Sequence, residues 1–144
     1  MKAVSETLKK RLKRFFGGRF SFDTLSRVCA SFDASRVGPV LPIGVLRPES
    51  ADDVVKLVRF CNREKVGVVA RGAASGMTGG AVPTENSVVI DFSSMNRILE
   101  INPSNRSATV EPGVLVGDLQ RAVAKYKLFY PPDPASADFC TIGG

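Results

Sequence analysis

Arg71-Gly72-Ala73-Ala74-Ser75-Gly76-Met77-Thr78-Gly79-Gly80-Ala81-Val82-Pro83 lies between two β-branched runs, Val66 to Ala70 and Ser87 to Asp91. Such runs read as strands of a buried sheet. Four glycines fall in the nine residues from Gly72 to Gly80, with small Ala and Ser between them. Glycine admits positive φ and lets a ligand approach the backbone closely. Consecutive amides in such turns form a nest that binds anions. Arg71, Ser75 and Thr78 can add a charge and hydroxyl donors. The ligand that suits this chemistry is a phosphate or pyrophosphate. A glycine-rich turn that serves only the fold stays open beside it.

Two standard phosphate motifs fail here. A P-loop needs Lys and a hydroxyl residue after its last glycine, but no Lys follows Gly76. A dinucleotide fingerprint needs GxGxxG opening a helix, but Ala74 stands at its second glycine and the segment runs through Pro83 into a strand. The loop must rely on its own amides and side chains rather than on a helix N-terminus.

Around it the pattern is mixed. Val4, Leu8, Leu12, Phe15 and Phe16 share one helical face, and Gly17-Gly18 ends it. Thr24 to Ala30 reads as a short helix, Phe32 to Arg36 as a turn, and Gly44 to Leu46 as a short buried strand. Ser50 to Lys65 is the clearest helix: Ser50 and Asp53 resemble a capping box, and Gly67 follows the last turn. Arg97 to Ile101 and Ser107 to Glu111 form a hairpin across Asn102-Pro103-Ser104-Asn105. Val116 to Tyr126 is a helix with Val116, Leu119, Val123 and Tyr126 inward, and Leu128 to Tyr130 a brief strand. The expected class is α+β: a small parallel sheet flanked by helices, then the start of an antiparallel subdomain.

Composition narrows the chemistry. The 144 residues include no His, which removes histidine bases, the usual triads and most zinc sites. Cys29, Cys61 and Cys140 are widely spaced, so neither a disulfide framework nor a metal cluster is expected, and a reducing, cytoplasmic setting fits. Of 20 basic and 14 acidic residues, seven and one fall within residues 1–20, leaving thirteen of each in the body. The net charge of +6 therefore belongs to one segment, and no nucleic-acid partner is expected. The basic segment either docks on the body through its apolar stripe or meets an anionic membrane or acidic partner.

A second segment completes the pattern. Pro131-Pro132-Asp133-Pro134 is a stiff loop leading to Thr141-Ile142-Gly143-Gly144. Together with Phe32-Asp33-Ala34-Ser35, Val45-Leu46-Arg47-Pro48 and the Arg71–Pro83 loop, in this order, it resembles the FAD-linked oxidase family. This is the vanillyl-alcohol oxidase and p-cresol methylhydroxylase fold. The nearest branch is the FAD-binding subunit of glycolate oxidase with the D-lactate dehydrogenases. Ether-lipid synthases and 2-hydroxyglutarate dehydrogenases are other branches.

The resemblance implies FAD as cofactor. It implies that Arg71, Gly72, Ala73, Ser75, Gly76, Thr78 and Gly79 wrap the pyrophosphate, and that Pro132, Asp133, Ser136, Thr141, Gly143 and Gly144 lie near the pyrophosphate and the isoalloxazine. Ser75 stands where covalent members carry a flavin-linked His, so non-covalent FAD is expected. It further implies a 2-hydroxy acid substrate such as glycolate or D-lactate. Electrons would pass to a quinone or an iron–sulfur subunit, in the cytoplasm or at the inner face of the membrane. Residues 1–18 are expected as the basic helix, and residues 19–144 as the first part of the FAD-binding domain. This part alone is not expected to oxidise a substrate.

Overall fold

The computed structural model describes residues 6–143. Helix α1, Glu6–Phe16, repeats apolar residues every fourth position, which stacks them on one face. Leu12 is wholly buried and Phe16 nearly so, with Leu8 packed beside them. Each buried side chain of this size contributes about 2–3 kcal/mol. Arg11 lies over the Phe60 ring at 4.9 Å and donates to Glu64 Oε1 at 2.6 Å. The helix therefore docks on the body, and its apolar stripe is not free to enter a membrane. Phe15 departs from the expected inward face. It stays half-exposed, its ring meeting Phe60 edge-on at 5.9 Å. Val4 lies outside the described residues.

After a single 3-10 turn the chain adds a strand that the sequence did not announce, β1, Phe20–Ser21. Helix α2, Thr24–Cys29, is capped by Asp23, whose side chain accepts from the Ser26 amide. Strand β2, Val45–Leu46, precedes helix α3, Ala51–Glu64. Ser50 caps α3 by accepting from the Asp53 amide. Asp53 Oδ2 in turn accepts from the Glu49 amide at 3.1 Å and from Arg19 Nη1 at 2.5 Å. Lys65 ends α3 in the left-handed region, at φ +56 and ψ +41, and Gly67 follows to open the next strand.

Strands β3, Gly67–Arg71, and β4, Ser87–Asp91, complete a sheet of order β1-β2-β4-β3. β2, β4 and β3 run parallel, and β1 joins antiparallel. The β-branched run expected as a buried strand is instead the sheet's edge: β3 is largely exposed, whereas β4 is buried at its centre. α1 and α3 cover one face of the sheet, and Ala30 covers the other against Val45 and Val89. Parallel neighbours need a long crossover, commonly a helix. Here residues 72–86 make it without one.

A second, smaller layer follows. Strands β5, Ile98–Asn102, and β6, Ser107–Val110, form the expected hairpin, with a bulge between Ile98 and Glu100. Glu111 ties its base, accepting from the Arg97 amide at 2.8 Å and from Arg97 Nη2 at 2.6 Å. Helix α4, Val116–Ala124, packs Leu119 and Val123 with Val114 against the hairpin. Tyr126 lies past the helix and is half-exposed, not inward. Residues 128–130 form no strand; the Tyr130 amide donates to Gln120 Oε1 at 2.7 Å instead. The fold is α+β, a mixed sheet followed by an antiparallel pair.

Candidate functional site

The helix-free crossover after β3 and the chain after α4 face each other across a cleft of about 510 Å³. One wall is built by Gly72, Ala73, Ala74, Ser75, Gly76, Thr78, Gly80 and Ala81, the other by Tyr130, Pro132, Pro134, Ser136 and the run Cys140 to Gly143, with Val116 from α4. Ser136 Oγ and Ser75 Oγ approach to 3.5 Å, joining the two walls.

The first wall is unusual in its hydrogen bonding. Residues 72–80 are exposed or half-buried, so their backbone groups can meet water or a ligand. Among the described residues no hydrogen bond is donated by the amides of residues 72–80. The ladder of β3 ends at Arg71, and pairing resumes only at Ala81, which donates to Asp33 Oδ2 at 3.3 Å, and at Val82, which donates to Gly79 O at 3.1 Å. Nine successive donors have no protein acceptor and stand open to solvent or to a ligand, seven of them on residues that line the cleft. Gly79, at φ +80, supplies the left-handed turn. Ala74 is also left-handed, at φ +54, so the loop keeps a glycine conformation without the glycine.

The second wall is tied to α4. Val116 and Gly117 donate to Cys140 O and Ala137 O, both at 3.0 Å, and Ile142 donates to Val114 O at 2.8 Å. These bonds occupy the first amides of α4 and hold Thr141 in an antiparallel bridge with Leu115. Thr141 Oγ1 is buried with no partner. A buried hydroxyl without a partner costs about 1–3 kcal/mol. Gly143 packs so closely on Pro112 that a Cβ would sit 2.4 Å from that residue's Cβ.

The structure thus brings Gly72, Ala73, Ser75, Gly76, Thr78, Pro132, Ser136, Thr141 and Gly143 to one cleft. Arg71, Gly79 and Asp133 are not on its walls, and Gly144 lies outside the described residues. Arg71 turns aside to donate to Phe32 O at 2.6 Å. Burial pulls its pKa down, against the opposing charges of Asp91 and Asp33. Sequence reasoning gave no role to Asp33, Val116, Tyr130, Cys140 or Ile142. Asp33 and Ile142 carried a signal, as parts of the Phe32–Ser35 and Thr141–Gly144 elements. The Asp33 carboxyl is held below the usual range, first by hydrogen bonding to Ser35, then by the Ala81 amide and the Arg71 charge.

Free amides and an unpartnered hydroxyl are the donor set a diphosphate needs. Residues 42–144 match the family described as FAD binding domain. The chain belongs to this family. It is 37% identical over 142 residues to glycolate oxidase subunit GlcD of Bacillus subtilis (strain 168), covering 98% of this chain and 30% of that protein. It is 36% identical over 107 residues to a D-lactate dehydrogenase of Anaerostipes hadrus, covering 74% of this chain and 22% of the other. Among solved structures it superposes on alkyldihydroxyacetonephosphate synthase with a TM-score of 0.86 at 25% identity, over 98% of this chain and 28% of that one. p-Cresol methylhydroxylase gives a TM-score of 0.73 at 21% identity, over 88% of this chain and 26% of that one, and shows the fold.

The FAD-binding domain is therefore that of the glycolate oxidase and D-lactate dehydrogenase type of flavin oxidoreductase, and its cofactor is FAD. The chain spans less than a third of the length of these relatives. No described helix is long and apolar enough to cross a membrane.

Proposed function

We propose that the cleft holds the pyrophosphate of non-covalent FAD within an enzyme that oxidises a 2-hydroxy acid, glycolate or D-lactate, to the 2-oxo acid. The observation that carries this reading is a loop, 72–80, whose amides have no protein acceptor, forming one wall of a cleft whose other wall holds the unpartnered Thr141 Oγ1. In this reading the amides of Gly72 to Gly79 donate to the phosphate oxygens, Ser75 and Thr78 add hydroxyl donors, and Thr141 supplies one from the opposite wall. Pro132, Ser136 and Gly143 shape the second wall, with Asp133 and Gly144 beside it. Arg71 acts from behind the loop as a nearby positive charge. FAD, when bound, supplies the acceptor for the two electrons that leave the substrate. Within the basic segment 1–18, helix Glu6–Phe16 docks on the body, and 19–144 are the first part of the FAD-binding domain. The whole cytoplasmic protein passes its electrons to a quinone or an iron–sulfur subunit at the inner face of the membrane.

The test is flavin fluorescence on titration of the chain. FAD should be quenched, ADP-ribose should compete, and riboflavin, which lacks the diphosphate, should not. Riboflavin competing as well as ADP-ribose would move the site off the pyrophosphate. Flavin recovered free after acid precipitation would agree with non-covalent binding.

A further inference from the structure

A loop with four glycines has no intrinsic reason to hold one shape, because glycine spreads over most of backbone space. Something outside the loop must fix its shape. Asp33 is 9% exposed, and a carboxylate at such a site needs hydrogen bonds. Its Oδ1 accepts from the Ser35 amide at 2.9 Å, and its Oδ2 from the Ala81 amide at 3.3 Å, the first paired donor after the open run. The neighbours of Asp33 grip the same loop elsewhere. Phe32 O accepts from Arg71 Nη1 at 2.6 Å, at the loop's start. The Ala34 amide donates to Ala74 O at 3.1 Å, at its strained middle. Val37 fills the space where a Cβ on Gly79 would come, at 2.9 Å.

We propose that Asp33 is the positioning residue of the cleft: through the Ala81 amide it anchors the return of the loop, so that Gly72 to Gly76, Thr78 and Gly80 stay in the wall that meets the ligand. Its carboxyl lines the cleft, but both oxygens are taken by protein amides, so it acts by holding the loop and offers the ligand no donor. This rests on the proposed pyrophosphate site, but the order of the loop can be read without any ligand.

The experiment compares the native chain with Asp33→Ala and Asp33→Asn, using amide NMR spectra and FAD titration. In Asp33→Ala the resonances of residues 72–80 should shift or broaden while those of β4 and α3 stay in place. FAD binding should weaken roughly tenfold or more, the scale of one lost charge-assisted hydrogen bond. Asp33→Asn keeps one acceptor oxygen where Asp33 uses two, so it can serve Ser35 or Ala81 but not both, and it should restore only part of the loop's spectrum and affinity. Loop resonances unchanged in Asp33→Ala, with affinity within about twofold of native, would overturn the proposal. So would both variants disturbing β4 and α3 as much as the loop, since Asp33 would then serve the whole fold. A native chain that binds no FAD would remove the proposed site. The loop spectra would still decide whether Asp33 orders it.

Discussion

Ala74 shows how far one residue can oppose its own backbone. At φ +54 its Cβ crowds the neighbouring carbonyl, a clash glycine lacks. Ala74→Gly should therefore raise stability by about 1 kcal/mol, even though glycine loses more entropy on folding. Thermal unfolding by circular dichroism should show a midpoint higher by about 3 °C. Gly113 is the opposite case: a Cβ there would meet Phe92 O at 2.2 Å and Met95 O at 2.7 Å, both backbone atoms that cannot step aside. Gly113→Ala should cost about 2–3 kcal/mol by the same measurement. The thiols differ in a way that chemical modification can read. Cys61 is buried, and desolvation first, then Glu64, push its pKa up to about 11, while Cys29 is exposed. A thiol reagent should label Cys29 in the native chain and Cys61 only after unfolding. At this scale the site was partly legible. Glycines and hydroxyl residues advertise a phosphate loop because their chemistry is local. The bond from Ala81 to Asp33 spans 48 positions, and no local pattern reports it.

Elements repeat the lesson with strands. A β-branched run announces a strand but not its place in the sheet, since branched side chains suit an edge as well as a centre. That is why β3 and β4 looked alike in sequence, although one is exposed and the other buried. β1 is two residues long and exists through pairing with β2, so periodicity had nothing to register. Residues 128–130 have strand-like side chains, but Pro131 and Pro132 follow and cannot donate to a ladder. Helices were more legible, because caps are local: Asp23 and Ser50 each accept the amide three residues on. The Asp23 cap also sets an acid limit. The Ser21 hydroxyl first, then Ser26, hold its pKa down to about 2, well below the ordinary carboxylate range. A depressed carboxylate contributes stability above its unfolded pKa and loses it as pH falls through the folded value. The stability that α2 draws from this cap should therefore be intact above about pH 4 and fall away toward pH 2. Asp23→Ala should flatten that part of the pH–stability curve, measured by urea unfolding at stepped pH. An unchanged slope would show the cap to be idle.

On the scale of the whole molecule, charge and cleft are separated. The net charge of +6 comes from residues 1–20, and α1 is pinned to the sheet by Leu12 and Phe16. The cleft walls carry no Lys or Arg, and the nearest cation identified, Arg71, is turned to Phe32 O. Asp33 is the one charged residue on those walls, with both oxygens held by amides, so a diphosphate there would draw on neutral amides and hydroxyls, whose dipoles act at hydrogen-bond distance. Salt weakens long-range attraction between exposed charges, with a screening length of about 10 Å at 0.1 M, but barely touches contacts that exclude solvent. FAD affinity should therefore change little between low and high salt, by less than about threefold over a tenfold rise in ionic strength. A steep loss would mean that the basic segment, and not the amide loop, attracts the cofactor. The same titration can carry an internal marker. Cys140 lines the cleft and Cys29 does not, so bound FAD should slow alkylation of Cys140 and leave Cys29 at its free rate. Equal rates at Cys140 with and without FAD would place the cofactor elsewhere.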